Sequence, residues 1–138
     1  VSKSKSIVID TGVLIEYLEG TKLGLKFKEN IVNDPNFTQF FISPLVETEL
    51  KYILCRKYGF RKAERKVDRF LKDFNIISES ILRNEAIKLK CKYPISLADC
   101  YSLSIAKLNS IPIYFKEEKE ITENEELLEK FQIRFIDD

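Results

Sequence analysis

Short apolar runs alternate with segments of helical period along the whole chain. The apolar runs fit strands at 6–10, 39–43, 74–78, 111–115 and 132–136. Segments with apolar residues every three or four positions fit helices at 12–19, 22–33, 44–58, 60–73, 80–91, 96–109 and 122–130. Strands that alternate with helices usually form a mostly parallel sheet. The pattern therefore predicts an α/β fold with five strands.

The helix predicted at 44–58 contains an acidic residue in an unexpected place. Ser43 can cap this helix and Pro44 suits its first position. Glu49 follows Leu45 by four residues and lies on the apolar stripe of the helix. A carboxylate on that side needs a partner or a raised pKa.

Two further acids lie where strands lead into helices. Asp10 ends the first apolar run, and Asp99 lies in the first turn of the helix that Ser96 opens. Each has a structural explanation of its own, since Asp10 can cap the following helix and Asp99 can form a capping box with Ser96. In open parallel sheets, however, ligands bind beyond the carboxyl ends of the strands. We therefore expect these acids to lie near one another.

Carboxylates that converge on one cleft need a positive charge, because they cannot all stay ionised unaided. The chain contains no histidine, and oxygen ligands alone suit hard divalent cations such as Mg²⁺ or Mn²⁺. The absence of histidine and of glycine-rich phosphate-binding loops also removes the common triad and nucleotide-binding chemistries. The acids therefore predict a metal-dependent reaction on phosphate.

The composition fits one intracellular domain. The chain has 138 residues, 44% of them hydrophobic, so we expect a single domain over 1–138. Cys55, Cys91 and Cys100 have no CxxC spacing, which disfavours a zinc site or a disulfide framework. The apolar runs fall short of the ~20 residues that cross a membrane, and the first residues lack the hydrophobic region of a signal peptide. We expect a cytoplasmic protein that does not bind membranes.

Positive charge is concentrated in the middle of the chain. Residues 51–92 carry 13 basic and 5 acidic side chains, although the whole chain has a net charge of only +1. The densest part is the helix predicted at 60–73. Such a block can bind nucleic acid, but a lysine- and glutamate-rich surface of thermophile type gives the same pattern. The apolar surplus of this region would equally serve a subunit interface.

Three segments of the chain resemble, in order and spacing, the blocks of a PIN domain. They are 8–18 (VIDTGVLIEYL), 42–50 (ISPLVETEL) and 95–106 (ISLADCYSLSIA). The resemblance is closest to the VapC-like toxin nucleases of archaea and bacteria. It implies a three-layer α/β/α fold around a central, mostly parallel five-stranded sheet.

The same resemblance implies a function and a set of site residues. It implies an Mg²⁺- or Mn²⁺-dependent endoribonuclease, a hydrolase of RNA phosphodiester bonds. Asp10, Glu49 and Asp99 fall on the metal-binding acids of the family, and Thr11 on the hydroxyl neighbour of the first acid. The implied partners are RNA, a VapB-like antitoxin and a second copy of the chain in a homodimer.

The block after the fourth strand departs from the family pattern. PIN domains usually have Thr-x-Asp there, whereas this chain has Phe115 at the threonine position and Glu117 at the aspartate position. We take Glu117 as the fourth metal-binding and catalytic acid, with Glu118 as the choice if the loop shifts by one residue. The departure leaves open a weakened PIN fold that only binds RNA or a protein partner. A small-molecule phosphohydrolase on a similar sheet is a third reading.

Overall fold

The computed structural model describes residues 5–138. Its strands are β1 (Ser6–Ile9), β2 (Gln39–Ile42), β3 (Asn75–Ile76), β4 (Ile113–Phe115) and β5 (Ile133–Phe135). They form one sheet in the order β3-β2-β1-β4-β5, and every neighbouring pair is parallel. The five-stranded parallel sheet predicted from the sequence is therefore confirmed, with β1 in its centre.

Helices cover both faces of this sheet. The α-helices in the described residues are α1 (Thr11–Leu18), α2 (Lys22–Phe27), α3 (Pro44–Tyr58), α4 (Phe60–Phe70), α5 (Glu79–Lys92), α6 (Leu97–Asn109), α7 (Lys119–Thr122) and α8 (Glu125–Lys130). Within β1, Ile7 and Ile9 pack with α1 to α4, whereas Val8 packs with α5 to α8. The alternation places one hydrophobic core on each face, which confirms the three-layer α/β/α architecture.

The helices differ from the predicted ones in three places. The helix predicted at 22–33 changes into a π-helical turn at Lys28–Val32, and the one at 60–73 tightens into a 3₁₀ turn at Leu71–Asp73. The helix predicted at 122–130 is two short helices, because the Asn124 side chain accepts a hydrogen bond from the Leu127 N–H at 3.1 Å and starts a new helix. Hydrophobic period alone does not reveal such a restart.

None of the helices within residues 5–138 combines the length and apolar character that crossing a membrane requires.

The carboxyl ends of the central strands meet at one edge of the sheet. β1 pairs with β2 on one side and with β4 on the other. The N–H of Asp10, the first residue after β1, donates to the Tyr114 carbonyl of β4 at 3.0 Å. This edge therefore gathers the residues that follow each strand, as expected for an open parallel sheet.

Candidate metal centre

Three carboxylates converge at this edge and form what we call the carboxylate cluster. Asp10 follows β1, Asp99 lies in the first turn of α6, and Glu118 lies in the loop after β4. One oxygen of each lies within 4.8 Å of the others. Asp10 and Asp99 are buried, at 2% and 3% exposure, and Glu118 is half-buried. The group has the donor set of a hard-cation site.

Asp10 both caps a helix and points into the cluster. Its Oδ2 accepts the Gly12 N–H at 3.4 Å, which is the cap of α1 that the sequence suggests. Its Oδ1 is buried and has no hydrogen-bond partner among residues 5–138. A buried carboxylate oxygen is costly when nothing pairs with it. This oxygen therefore requires a proton or a cation.

Asp99 lies in the capped first turn of α6. Its backbone N–H donates to the Ser96 Oγ at 3.1 Å, so Ser96 caps α6 as expected. The Asp99 carboxylate belongs to the cluster, since one of its oxygens lies within 4.8 Å of oxygens of Asp10 and Glu118.

Burial and mutual repulsion hold protons on the cluster. Burial first, and the Asp99 charge second, raise the pKa of Asp10 to about 8. The same two causes, in the same order, raise the pKa of Glu118 to about 8. Burial likewise raises the pKa of Asp99. Asp10 and Glu118 therefore keep their protons at neutral pH, and a divalent cation would replace those protons.

Glu49 and Thr11 lie beside the cluster. Both line the same cleft, which has a volume of about 230 Å³. The Thr11 hydroxyl donates to Glu49 Oε1 at 2.6 Å, and this bond joins α1 to α3. The half-buried Glu49 carboxylate, which lies on the apolar stripe of α3, therefore has the hydrogen-bond partner that its position requires. Glu49 is not one of the three acids within 4.8 Å of one another.

The structure does not bring Glu117, the acid preferred from the sequence, into this cluster. Glu117 is exposed, and its backbone N–H donates to Asp137 Oδ1 at 2.7 Å. Phe115 is fully buried in the core against α5 to α8, so the chain reaches the cleft only beyond it. The acid that enters is Glu118, one residue later. The Thr-x-Asp pattern therefore corresponds to residues 116–118, with lysine in place of threonine.

Burial of two apolar side chains sets this register, although nothing in the sequence distinguishes them from other apolar residues. Ile121, three residues after Glu118, is fully buried in the same core as Phe115. Anchoring both apolar residues in one core fixes the loop between them, and the intervening Glu118 turns toward the cleft. Lys116, which also lines the cleft, carried no signal that would have distinguished it from a surface lysine.

The family model of the PIN domain matches residues 7–133, and the chain belongs to this family. The match includes every residue of the carboxylate cluster. The comparison with curated protein sequences finds no match.

Several solved structures share the fold. A toxin–antitoxin complex from Klebsiella pneumoniae has 24% identity and a TM-score of 0.67, over 83% of this chain and 89% of that one. VapBC-1 of Haemophilus influenzae has 14% identity and a TM-score of 0.70, over 96% and 99%. VapC20 of Mycobacterium tuberculosis, described as a toxin that cleaves the sarcin–ricin loop, has 18% identity and a TM-score of 0.67, over 86% and 95%.

The raised pKa values predict that stability falls as pH rises. An acid with a raised folded-state pKa keeps its proton after the unfolded chain has released its own, near pH ~4. In EDTA, the free energy of unfolding should therefore decrease from pH 5 to about 8, the pKa of Asp10. Urea unfolding at several pH values measures this slope.

The variant Asp10→Asn, which resembles the protonated acid, should flatten this slope and be more stable than the wild type at pH 8. Asp73→Asn changes an exposed carboxylate and should leave the slope as it is. Equal slopes in the wild type and in Asp10→Asn would show that Asp10 ionises normally.

Proposed function

We propose that this protein is a divalent-metal-dependent endoribonuclease, the VapC-like toxin of a toxin–antitoxin pair. The observation that carries the proposal is the buried Asp10 carboxylate. Its Oδ1 has no partner among the described residues, and one of the Asp10 oxygens lies within 4.8 Å of two further acids. Membership of the PIN family supports the same reading. So does the fold shared with VapC20 of M. tuberculosis, which is described as a toxin that cleaves the sarcin–ricin loop.

Asp10, Asp99 and Glu118 would hold Mg²⁺ or Mn²⁺. Their donors are all carboxylate oxygens, and burial together with the close approach of the three groups raises the pKa values of Asp10 and Glu118 to about 8. The bound cation supplies a Lewis acid that activates water and stabilises the charge that develops on the phosphate. We assign the role expected of Glu117 to Glu118, because Glu118 is the residue beside the other two acids.

Glu49 would orient the attacking water and accept its proton. It lines the cleft beside the cluster, and the Thr11 hydroxyl fixes one of its oxygens through the 2.6 Å hydrogen bond. A positioned carboxylate can act as a general base without histidine. Thr11 is then a positioning residue that acts through Glu49.

The outer face of α4 would bind the phosphates that flank the cleaved bond. Ala63 and Val67 are buried on one side of this helix, while its basic side chains are exposed on the other. The exposed basic residues of α4 are Arg61, Lys62, Arg65, Lys66 and Arg69. An array of this kind binds the nucleic-acid backbone irrespective of sequence.

Cleavage of a structured RNA with Mn²⁺ tests the proposal. Asp10→Asn, Asp99→Asn and Glu118→Gln should each lower the rate by at least the roughly 10–100-fold that the loss of an outer-shell metal partner costs. Glu117→Gln is the matched control, because it changes the adjacent, exposed glutamate. It should cleave at the wild-type rate.

Full activity in the three cluster variants would remove the nuclease assignment. If Glu117→Gln lost activity and Glu118→Gln did not, the fourth acid would be Glu117, as preferred from the sequence. RNA binding without metal binding by calorimetry would favour the non-cleaving alternative.

We also propose two protein partners, a VapB-like antitoxin and a second copy of this chain. The Haemophilus and Klebsiella structures contain toxin–antitoxin pairs, which supports the first. Exposed apolar side chains on the α3 and α4 layer, such as Tyr52 and Phe60 at 58% and 62% exposure, support the second. Light scattering of the purified chain at micromolar concentration should give a dimeric mass, and a monomeric mass would contradict the homodimer.

A further inference from the structure

Lys116 is the one cationic side chain among the described residues that line the cleft. It is the first residue after β4, and its side chain is 41% exposed. Its Nζ lies 3.2 Å from Oε2 of Glu16 in α1. Within residues 5–138, no ion pair joins Nζ to an acid of the carboxylate cluster. The lysine therefore sits beside the cluster without neutralising it.

The path of the Lys116 side chain depends on a glycine. A Cβ added at Gly12 would lie 3.1 Å from Lys116 Cβ and 3.7 Å from its Cδ. The same added atom would lie 3.7 Å from Asp10 Oδ2. The lysine stem thus packs on the first turn of α1, close to the Asp10 carboxylate, and carries the ammonium group along the cleft wall.

Glu16, which holds the ammonium group, is itself fixed. The Thr21 hydroxyl donates to Glu16 Oε1 at 2.8 Å, while Lys116 donates to Oε2. Thr21 caps α2, which lies against α1 so closely that a Cβ at Gly24 would be 2.3 Å from the Glu16 carbonyl oxygen. The anchor of Lys116 is therefore built into the contact between two helices.

We propose that Lys116 binds the phosphate of the RNA in the cleft, through a hydrogen bond from Nζ to a non-bridging oxygen. The inference rests on the proposed function, since it takes RNA as the ligand. The other charged groups that line the cleft are carboxylates, which repel a phosphate. A lysine binds phosphate as a compact point charge. Of the three N–H donors of Lys116, Glu16 takes one, so two remain for the ligand.

This role belongs to the particular sequence of this chain. Lys116 precedes Glu118 by two residues and takes the place of the threonine expected in the Thr-x-Asp pattern. A threonine there could offer one neutral hydroxyl, whereas lysine offers a full charge on a longer stem. Lys116 is thus a substrate-binding residue, and Glu16 is its ion-pair partner on the cleft wall.

Salt-dependent RNA binding tests this inference without metal or catalysis. The full chain is titrated with a fluorescent single-stranded RNA in EDTA between 0.1 and 1 M KCl. Losing one phosphate contact should lower the slope of log affinity on log salt by about 0.7. Lys116→Gln should accordingly bind about fivefold more weakly than the wild type at 0.1 M KCl and converge with it near 1 M. Lys116→Arg should keep the wild-type slope.

Two further variants separate binding from a structural role. Lys107→Gln removes a lysine that is also ion-paired, to Glu85, at the opposite end of α6 from Asp99, and should leave the slope unchanged. Glu16→Gln breaks the same ion pair as Lys116→Gln but leaves the cation in the cleft, so it should keep the wild-type slope. Thermal melting of each variant verifies folding.

The outcomes distinguish this inference from the nuclease assignment. A wild-type slope in Lys116→Gln would overturn the phosphate contact, even if the protein cleaves RNA. Equal weakening in Glu16→Gln and Lys116→Gln would also overturn it, because the effect would then come from the lost ion pair. A reduced slope in Lys116→Gln alone supports the contact, even if the wild type fails to cleave RNA with Mn²⁺.

Discussion

The main physical constraint on this structure is the burial of like charges at the end of the central strand. Asp10 is 2% exposed and shares its position with Asp99 and Glu118. Removing an ionised carboxylate from water is expensive, and placing two more acids within 4.8 Å makes full ionisation worse. The raised pKa values of Asp10, Asp99 and Glu118 follow directly from this burial and repulsion. A site that keeps this arrangement needs a cation or protons to occupy it.

The fold maintains the arrangement instead of relieving it. Each acid is held by a local element: Asp10 by the cap of α1, Asp99 by the first turn of α6, and Glu118 by the loop between β4 and α7. The apolar cores on both faces hold these elements to the sheet. The fold thus keeps a preformed site at a cost in stability. This is common where strain or repulsion serves function.

Much of this organisation could be predicted from the sequence because it follows from periodicity. The strand and helix pattern predicts the parallel sheet and places Asp10 at its edge. The expectation that Asp99 also follows a strand is wrong, because α6 follows α5 with no strand between them, and Asp99 reaches the edge from the first turn of α6. The partner of Glu49 could not be foreseen, because the Thr11 hydroxyl reaches it from another helix, 38 residues away in sequence. Such long-range pairs depend on packing and not on local pattern.

The register after β4 was the least predictable part of the site. The strand is only three residues long, so alternation along it cannot decide which following residue faces the cleft. Burial of Phe115 and Ile121 decides it, and both are ordinary apolar residues in the sequence. The same shift by one residue brings Lys116 to the cleft wall and leaves Glu117 in solvent. Matching the Thr-x-Asp pattern to the sequence therefore predicts neither the position of Lys116 nor that of Glu117.

The central claim is that the carboxylate cluster is a metal site, and a crystal soaked in Mn²⁺ tests it most directly. The anomalous difference map should show an ion in the cleft with oxygens of Asp10, Asp99 and Glu118 at about 2.0–2.6 Å, the range for hard divalent cations. Asp10 Oδ1, which lacks a partner among the described residues, should be one of the ligands. A cleft without an ion at saturating Mn²⁺, or an ion bound instead at Glu117 and Asp137, would contradict the account.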